Sequence, residues 1–129
     1  MKKHIFVFIL VFLTACSTPL KLSDKNSGTH QTVCTGQKVI ISLDENPTTG
    51  YSWQFFITPA KQNTITDTAE TYIAPDTSLI GAGGIKEYSF TAARKGTVTV
   101  TGYYFRPWEK PNEQTDQKVV YTIDVINCS

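Results

Sequence analysis

Apolar and polar residues alternate along most of the chain from residue 32 onward, with a period of two. Val39, Ile41 and Leu43 form one such run, Tyr51, Trp53, Phe55 and Ile57 a second, and Val119, Tyr121, Ile123 and Val125 a third. Successive side chains of an extended chain point to opposite faces, so alternation over such lengths predicts half-buried strands. The pattern places strands over residues 32–35, 38–43, 51–57, 65–73, 87–92, 97–104 and 118–126. No stretch shows a convincing helical period. Turn clusters rich in Gly, Pro, Asn and Asp punctuate the runs.

Short strands at this spacing, in about a hundred residues, predict an immunoglobulin-like antiparallel β-sandwich of about seven or eight strands; a small β-barrel is the other solution. If successive strands run up and down, every second connection lies at the same end. The connections after 38–43, 65–73 and 97–104 therefore share one pole, and these are the unusual ones. The first is Asn46-Pro47-Thr48-Thr49-Gly50-Tyr51, the second carries Gly81-Ala82-Gly83-Gly84, and the third carries Arg106-Pro107-Trp108. Connections at the other pole look like plain turns. The same count puts Cys34 and Cys128 together at that plain pole.

The first sixteen residues are of another kind. Met1, Lys2, Lys3 and His4 make a basic start, and Ile5 to Leu13 is an unbroken apolar run. At about nine residues it is too short to cross a bilayer, which takes roughly 20. A charged start, a short apolar stretch and small residues mark a secretory signal peptide. The run ends in Leu13-Thr14-Ala15-Cys16, which resembles the bacterial lipobox. Residues 1–15 are thus expected to be a lipoprotein signal peptide, and Cys16 the lipidated first residue of an exported protein. The anchor would hold it on the periplasmic side of a membrane or at the cell surface, without spanning the bilayer. Residues 16–31 are polar, hold Pro19 and Gly28 and show no sustained period, so they are expected to be the lipidated Cys16 and a flexible tether. Residues 32–129 are expected to be the folded domain.

Setting Cys16 aside leaves Cys34 and Cys128. An even number in an exported domain suggests a disulfide, and two inert buried thiols fit the sequence as well. The formal net charge is only +1 and no basic block occurs, which points away from nucleic acid and from electrostatic membrane recruitment. The histidines are His4, in the signal, and His30, in the tether, so the expected domain has no imidazole base and no histidine metal ligand. Neither an enzyme, nor a metal site, nor a bound cofactor is indicated. Asp44 and Glu45, neighbours on an extended chain, are expected to form a solvated strand end.

Loops on a rigid sandwich are where binding surfaces are built. Pro47 fixes its own φ and presses Asn46 toward extended geometry, while Gly50 tolerates φ > 0, so the first loop is shaped. Glycines at 81, 83 and 84 would let backbone approach another surface closely. A phosphate cradle is disfavoured, because a strand follows this loop, not a helix. Trp108 and Arg106 are residue types that dominate binding hot spots.

Together the three motifs, in this order and between these strands, resemble those of the chagasin family, protein inhibitors of papain-like cysteine peptidases. The resemblance spans residues 32–126. It implies an immunoglobulin-like fold and a monomeric, reversible, tight-binding inhibitor. The glycine loop would enter beside the peptidase's catalytic cysteine, and the Asn46 and Trp108 loops would grip the walls of the cleft. The lipobox and a Cys34–Cys128 bridge are additions to the family pattern. An adhesive or structural surface lipoprotein is the alternative, separable by an assay against papain or a cathepsin.

Overall fold

Alternating runs that bury one face each have to be covered by a second layer, and here they pair into two four-stranded sheets packed face to face. The computed structural model describes residues 18–77, 79–114 and 116–128; the expected signal segment and Cys16 lie outside them. The strands are β1 (Leu20–Leu22), β2 (Thr29–Cys34), β3 (Lys38–Glu45), β4 (Ser52–Thr58), β5 (Ile65–Ile73), β6 (Gly84–Ala92), β7 (Gly96–Phe105) and β8 (Gln117–Ile126). One sheet has the order β1-β3-β6-β5 and the other β2-β8-β7-β4.

The core lies between the sheets and is built from the alternating positions. Val39, Ile41 and Leu43 of β3 and Tyr88, Phe90 and Ala92 of β6 come from one layer. Val98 and Val100 of β7 and Val119, Tyr121, Ile123 and Val125 of β8 come from the other. Each large apolar side chain so buried contributes roughly 1.5–3 kcal/mol. Phe55 stacks on Tyr88 at 4.3 Å between ring centroids and joins the two layers.

Two expectations are corrected. First, the sandwich is not wholly antiparallel, since β1 pairs with β3, and β2 with β8, in parallel. Strand direction still alternates along the chain. The parallel pairs arise because β1 and β3 run the same way and lie side by side, as do β2 and β8.

Second, the segment read as a flexible tether is, from residue 18 on, part of the fold. Leu22 is buried in the core, a Ser23-capped 3-10 turn at Asp24–Asn26 follows, and β2 begins at Thr29. The Tyr121 hydroxyl donates to the Ser23 carbonyl at 2.7 Å, and the amide of Gly28 donates to the Val120 carbonyl. Burial, with a smaller effect of the Asp24 charge, pushes the Tyr121 hydroxyl up to about 12, so it remains a donor at neutral pH. These bonds and one buried leucine hold a stretch whose composition is polar.

His30 accordingly sits on β2 inside the domain, where none was expected. Its ring faces the Asp124 carboxylate on the exposed side of the sheet. Thr97 donates to the same carboxylate at 2.6 Å and, with His30, lowers its pKa. This is a pair on an open strand surface, remote from the unusual loops.

Cys34 and Cys128 are joined, with their Cα atoms 5.4 Å apart, and the link encloses 94 residues of sequence separation. It ties the end of β2 to the chain just past β8. We expect a Cys34→Ser/Cys128→Ser variant to unfold at lower urea, with a loss of about 2–5 kcal/mol. Wild type treated with a reductant should match it, and a variant indistinguishable from oxidised wild type would contradict a structural role.

Candidate functional site

Because strand direction alternates, the connections β3–β4, β5–β6 and β7–β8 emerge at one pole, and hydrogen bonds and side-chain contacts join the three. The β3–β4 loop lies in the middle. Asn46 leaves β3 extended, at φ −123°, as the following proline requires. Pro47–Thr49 form one 3-10 turn with Asn46 as its N-cap, and Gly50 closes it at φ 80°.

Asn46 is the hub. Its Oδ1 accepts from the Thr48 amide at 3.2 Å and from the Thr48 hydroxyl at 2.6 Å. Its carbonyl accepts from the Thr49 hydroxyl at 2.8 Å, and its own amide donates to Tyr104 Oη at 3.1 Å. The remaining donor, Nδ2, reaches across to the Gly81 carbonyl at 3.0 Å and fastens the β5–β6 loop to the β3–β4 loop.

The other flank is held by aromatic packing. A Cβ built on Gly50 would lie 2.9 Å from Trp108 Cη2, so the indole edge rests directly on that glycine. The Arg106 guanidinium lies 4.9 Å above the Tyr51 ring, and Tyr51 in turn packs on Tyr104 at 5.5 Å. Arg106 also approaches Glu109 at 3.8 Å, an exposed pair worth little by itself.

Beneath the loops sits a polar support. Glu45, expected in solvent, is 4% exposed. It continues the inward series Val39, Ile41, Leu43, and that continuation was the signal available in the sequence. Its carboxylate accepts from the Trp53 amide at 2.7 Å, with the Lys86 ammonium 3.9 Å away. Asp44 is exposed as expected, while its carbonyl accepts from the Trp53 indole at 2.9 Å. Tyr104, Glu45 and Lys86 thus belong to the loop platform.

The glycines divide their roles differently from the expectation. Gly81 alone of the three has a positive φ, at 83°, and a side chain there would meet nothing within 4 Å. Gly84 is the first residue of β6, and a Cβ on it would come within 2.2 Å of the Ile73 carbonyl, so it serves strand packing. Gly83 presses on the Glu45 carbonyl, 3.2 Å from its would-be Cβ. Ala82 is half-buried between them. What the loop offers outward is Leu79, 75% exposed, and the fully exposed Ile80; neither was singled out in the sequence, although apolar residues beside a glycine turn were a usable sign. Trp108 is 71% exposed and Pro107 is exposed beside it. The Thr48 and Thr49 hydroxyl protons are already committed within the loop.

A rigid sandwich presenting three fastened loops with exposed apolar tips is a binding scaffold for another macromolecule. Comparison with known proteins gives the kind. The pattern described as chagasin family peptidase inhibitor I42 matches residues 32–124. Chagasin of Trypanosoma cruzi is 37% identical over 103 residues, covering 78% of this chain and 94% of its own length. Amoebiasin-1 of Entamoeba histolytica is 33% identical over 89 residues, covering 69% and 84%. The crystal structure of the cysteine protease inhibitor EhICP2 from Entamoeba histolytica superposes with a TM-score of 0.71 at 25% identity, over 83% of this chain and 95% of that one. The chain belongs to the chagasin family of peptidase inhibitors.

Gly50→Ala tests how the loops are fastened. A Cβ forced into the left-handed region costs about 1–2 kcal/mol, and the added methyl also displaces the Trp108 ring. We expect a lower urea midpoint together with a changed Trp108 emission spectrum; an unaltered spectrum would mean that the indole does not rest on residue 50.

Proposed function

We propose that this protein is a reversible, tight-binding inhibitor of papain-like cysteine peptidases that plugs the substrate cleft with the three loops. Family membership supports the target class. The observation that carries the mechanism is the Asn46 bridge to Gly81 on one side together with the Gly50 seat for Trp108 on the other. They make three chain segments into one edge.

Each loop has a physical task. The β5–β6 loop, led by Leu79, Ile80 and Gly81-Ala82, enters the cleft beside the catalytic cysteine, burying apolar tips that water now covers. Pro47, Thr48 and Thr49 line one wall with backbone already bonded internally. Arg106, Pro107 and Trp108 cover the other, with the indole supplying flat area at small entropic cost. Inhibition needs no bond-making: the peptidase is blocked because the slot is filled by backbone that is held too firmly to settle into a cleavable geometry. Little ordering entropy opposes the complex, since the scaffold presets the loops.

We further infer that the protein is exported and held to a bacterial membrane through lipid on Cys16. The support is the apolar run and the Leu13-Thr14-Ala15-Cys16 sequence. Cys16→Ser should abolish acylation and cleavage of the chain, read by mass spectrometry; a wild-type chain of unacylated mass would refute the anchor.

For the loops, Trp108→Ala should weaken inhibition of papain by about 2 kcal/mol, roughly thirtyfold, in a fluorogenic-substrate assay. Leu79→Ala/Ile80→Ala should weaken it as well without shifting the urea midpoint, because both side chains are exposed. Unchanged inhibition constants for both variants would remove the loop assignment.

A further inference from the structure

Away from the loops, the fold gathers at the opposite pole what the sequence scatters. Three connections meet there through hydrogen bonds. The Gly36 amide donates to the Ala92 carbonyl, the Ala92 amide to the Gln37 carbonyl, and the Ala93 and Arg94 amides to the Thr64 carbonyl. Those connections, with the first residue of β3, carry Lys38, Lys61, Arg94 and Lys95, all exposed. Among the described residues, the 35–37, 59–64 and 93–95 connections hold no carboxylate. Asp67 lies two residues into β5, and Asp124, near the end of β8 in a surface pocket shared with Lys95, is occupied by His30 and Thr97. Even a terminal carboxylate after Cys128 would offset only one of the four cations. A chain without any basic block thus folds to a basic pole.

The start of the domain lies at this same pole. β1 runs parallel to β3 with Leu20 opposite Val39, and the Gln37 side-chain amide donates to the Thr18 carbonyl at 3.2 Å. Cys16 is two residues from Thr18, and two residues of chain reach at most about 7 Å. A lipid on Cys16 therefore lies within about 7 Å of Thr18, at the same pole as Lys38, Lys61, Arg94 and Lys95; a domain standing on that pole would hold these charges within the range of the Debye length, about 8 Å at physiological salt.

We propose that this pole is a membrane-docking surface whose ligand is the anionic phospholipid headgroup, resting on the anchoring of Cys16 inferred above. The acyl chains tie the domain down and the four cations set its attitude. β8, ten residues long, spans the molecule from pole to pole. At about 3.4 Å per residue the inhibitory loops then stand roughly 30 Å above the headgroups, facing outward. A freely swivelling domain would spend part of its time with the loops against the lipid.

The test uses the full chain produced in a bacterium that processes lipoproteins. The purified protein is reconstituted on phosphatidylcholine vesicles with or without a third phosphatidylglycerol, each carrying a trace of dansyl headgroup as acceptor for tryptophan emission. Wild type, with Trp53 and Trp108 at the loop pole, should show little transfer on the anionic vesicles. Ala60→Trp, beside Lys61, should show strong transfer there and less on neutral lipid. High salt, or adding Lys61→Glu/Arg94→Glu/Lys95→Glu, should return it to the neutral-lipid level without altering papain inhibition. Equal transfer on both lipids, or transfer untouched by charge reversal, overturns the docking surface. The mass of the purified chain reports acylation separately. If acyl chains are missing, the anchoring inference fails by itself, and cosedimentation of that same chain with the anionic vesicles decides the surface. Loss of affinity by about fivefold per cation supports it, and no loss overturns it.

Discussion

One asparagine side chain holds the working end of this molecule together. Asn46 spends both faces of its amide, the oxygen on its own loop and the nitrogen on the neighbouring one, while its backbone amide is held by Tyr104 from the sheet below. An aspartate would lack the donor and an alanine would lack both groups. Proline at 47 and glycine at 50 then leave the loop few alternative shapes, so the hydrogen bonds select one conformation out of a small set instead of imposing it on a floppy segment.

Beneath that loop the sandwich converts packing into rigidity. Trp53 is clamped by its two N–H groups, one on the Glu45 carboxylate and one on the Asp44 carbonyl, and Tyr104 packs against it at a tilt, 5.1 Å between ring centroids. Glu45 is the costly member of the platform, a carboxylate taken out of water whose offset comes from the Trp53 amide and Lys86. Its position at the last inward step of β3 places polar chemistry where the apolar core ends and the loop begins. An inhibitor that must not yield when a peptidase closes around it gains from such a junction, because sliding of the loop would strip the buried charge of the Trp53 amide and Lys86 that offset it.

Much of this was legible in the residues. The inward faces of β3, β6 and β8 followed from the period of two and the β5 span from a threonine-rich run, and up-and-down topology was enough to put the three unusual loops at one pole and the cysteines at the other. What stayed hidden had physical reasons. β1 is three residues long and β2 largely polar, so neither carries a readable alternation; their order comes from the buried Leu22 and Val33 and from pairing with β3 and with the distant β8, which the residues themselves do not reveal. Glu45 was misread because its charge outweighed its place in the series. The glycines of the β5–β6 loop look alike in sequence but differ in what surrounds them, and only contacts separate the strained turn at Gly81 from the crowded strand start at Gly84.

The parallel pairing of β1 with β3 has a mechanical side. The chain enters β1 at the pole remote from the loops, so a partner tugging on the loops while the N-terminus is held slides β1 lengthwise against β3. Bonds loaded along the strand axis share the force and yield together, whereas a strand peeled from one end loses them one at a time. The short first strand is therefore a shear joint, and the Cys34–Cys128 link covalently secures the following strand at the same end.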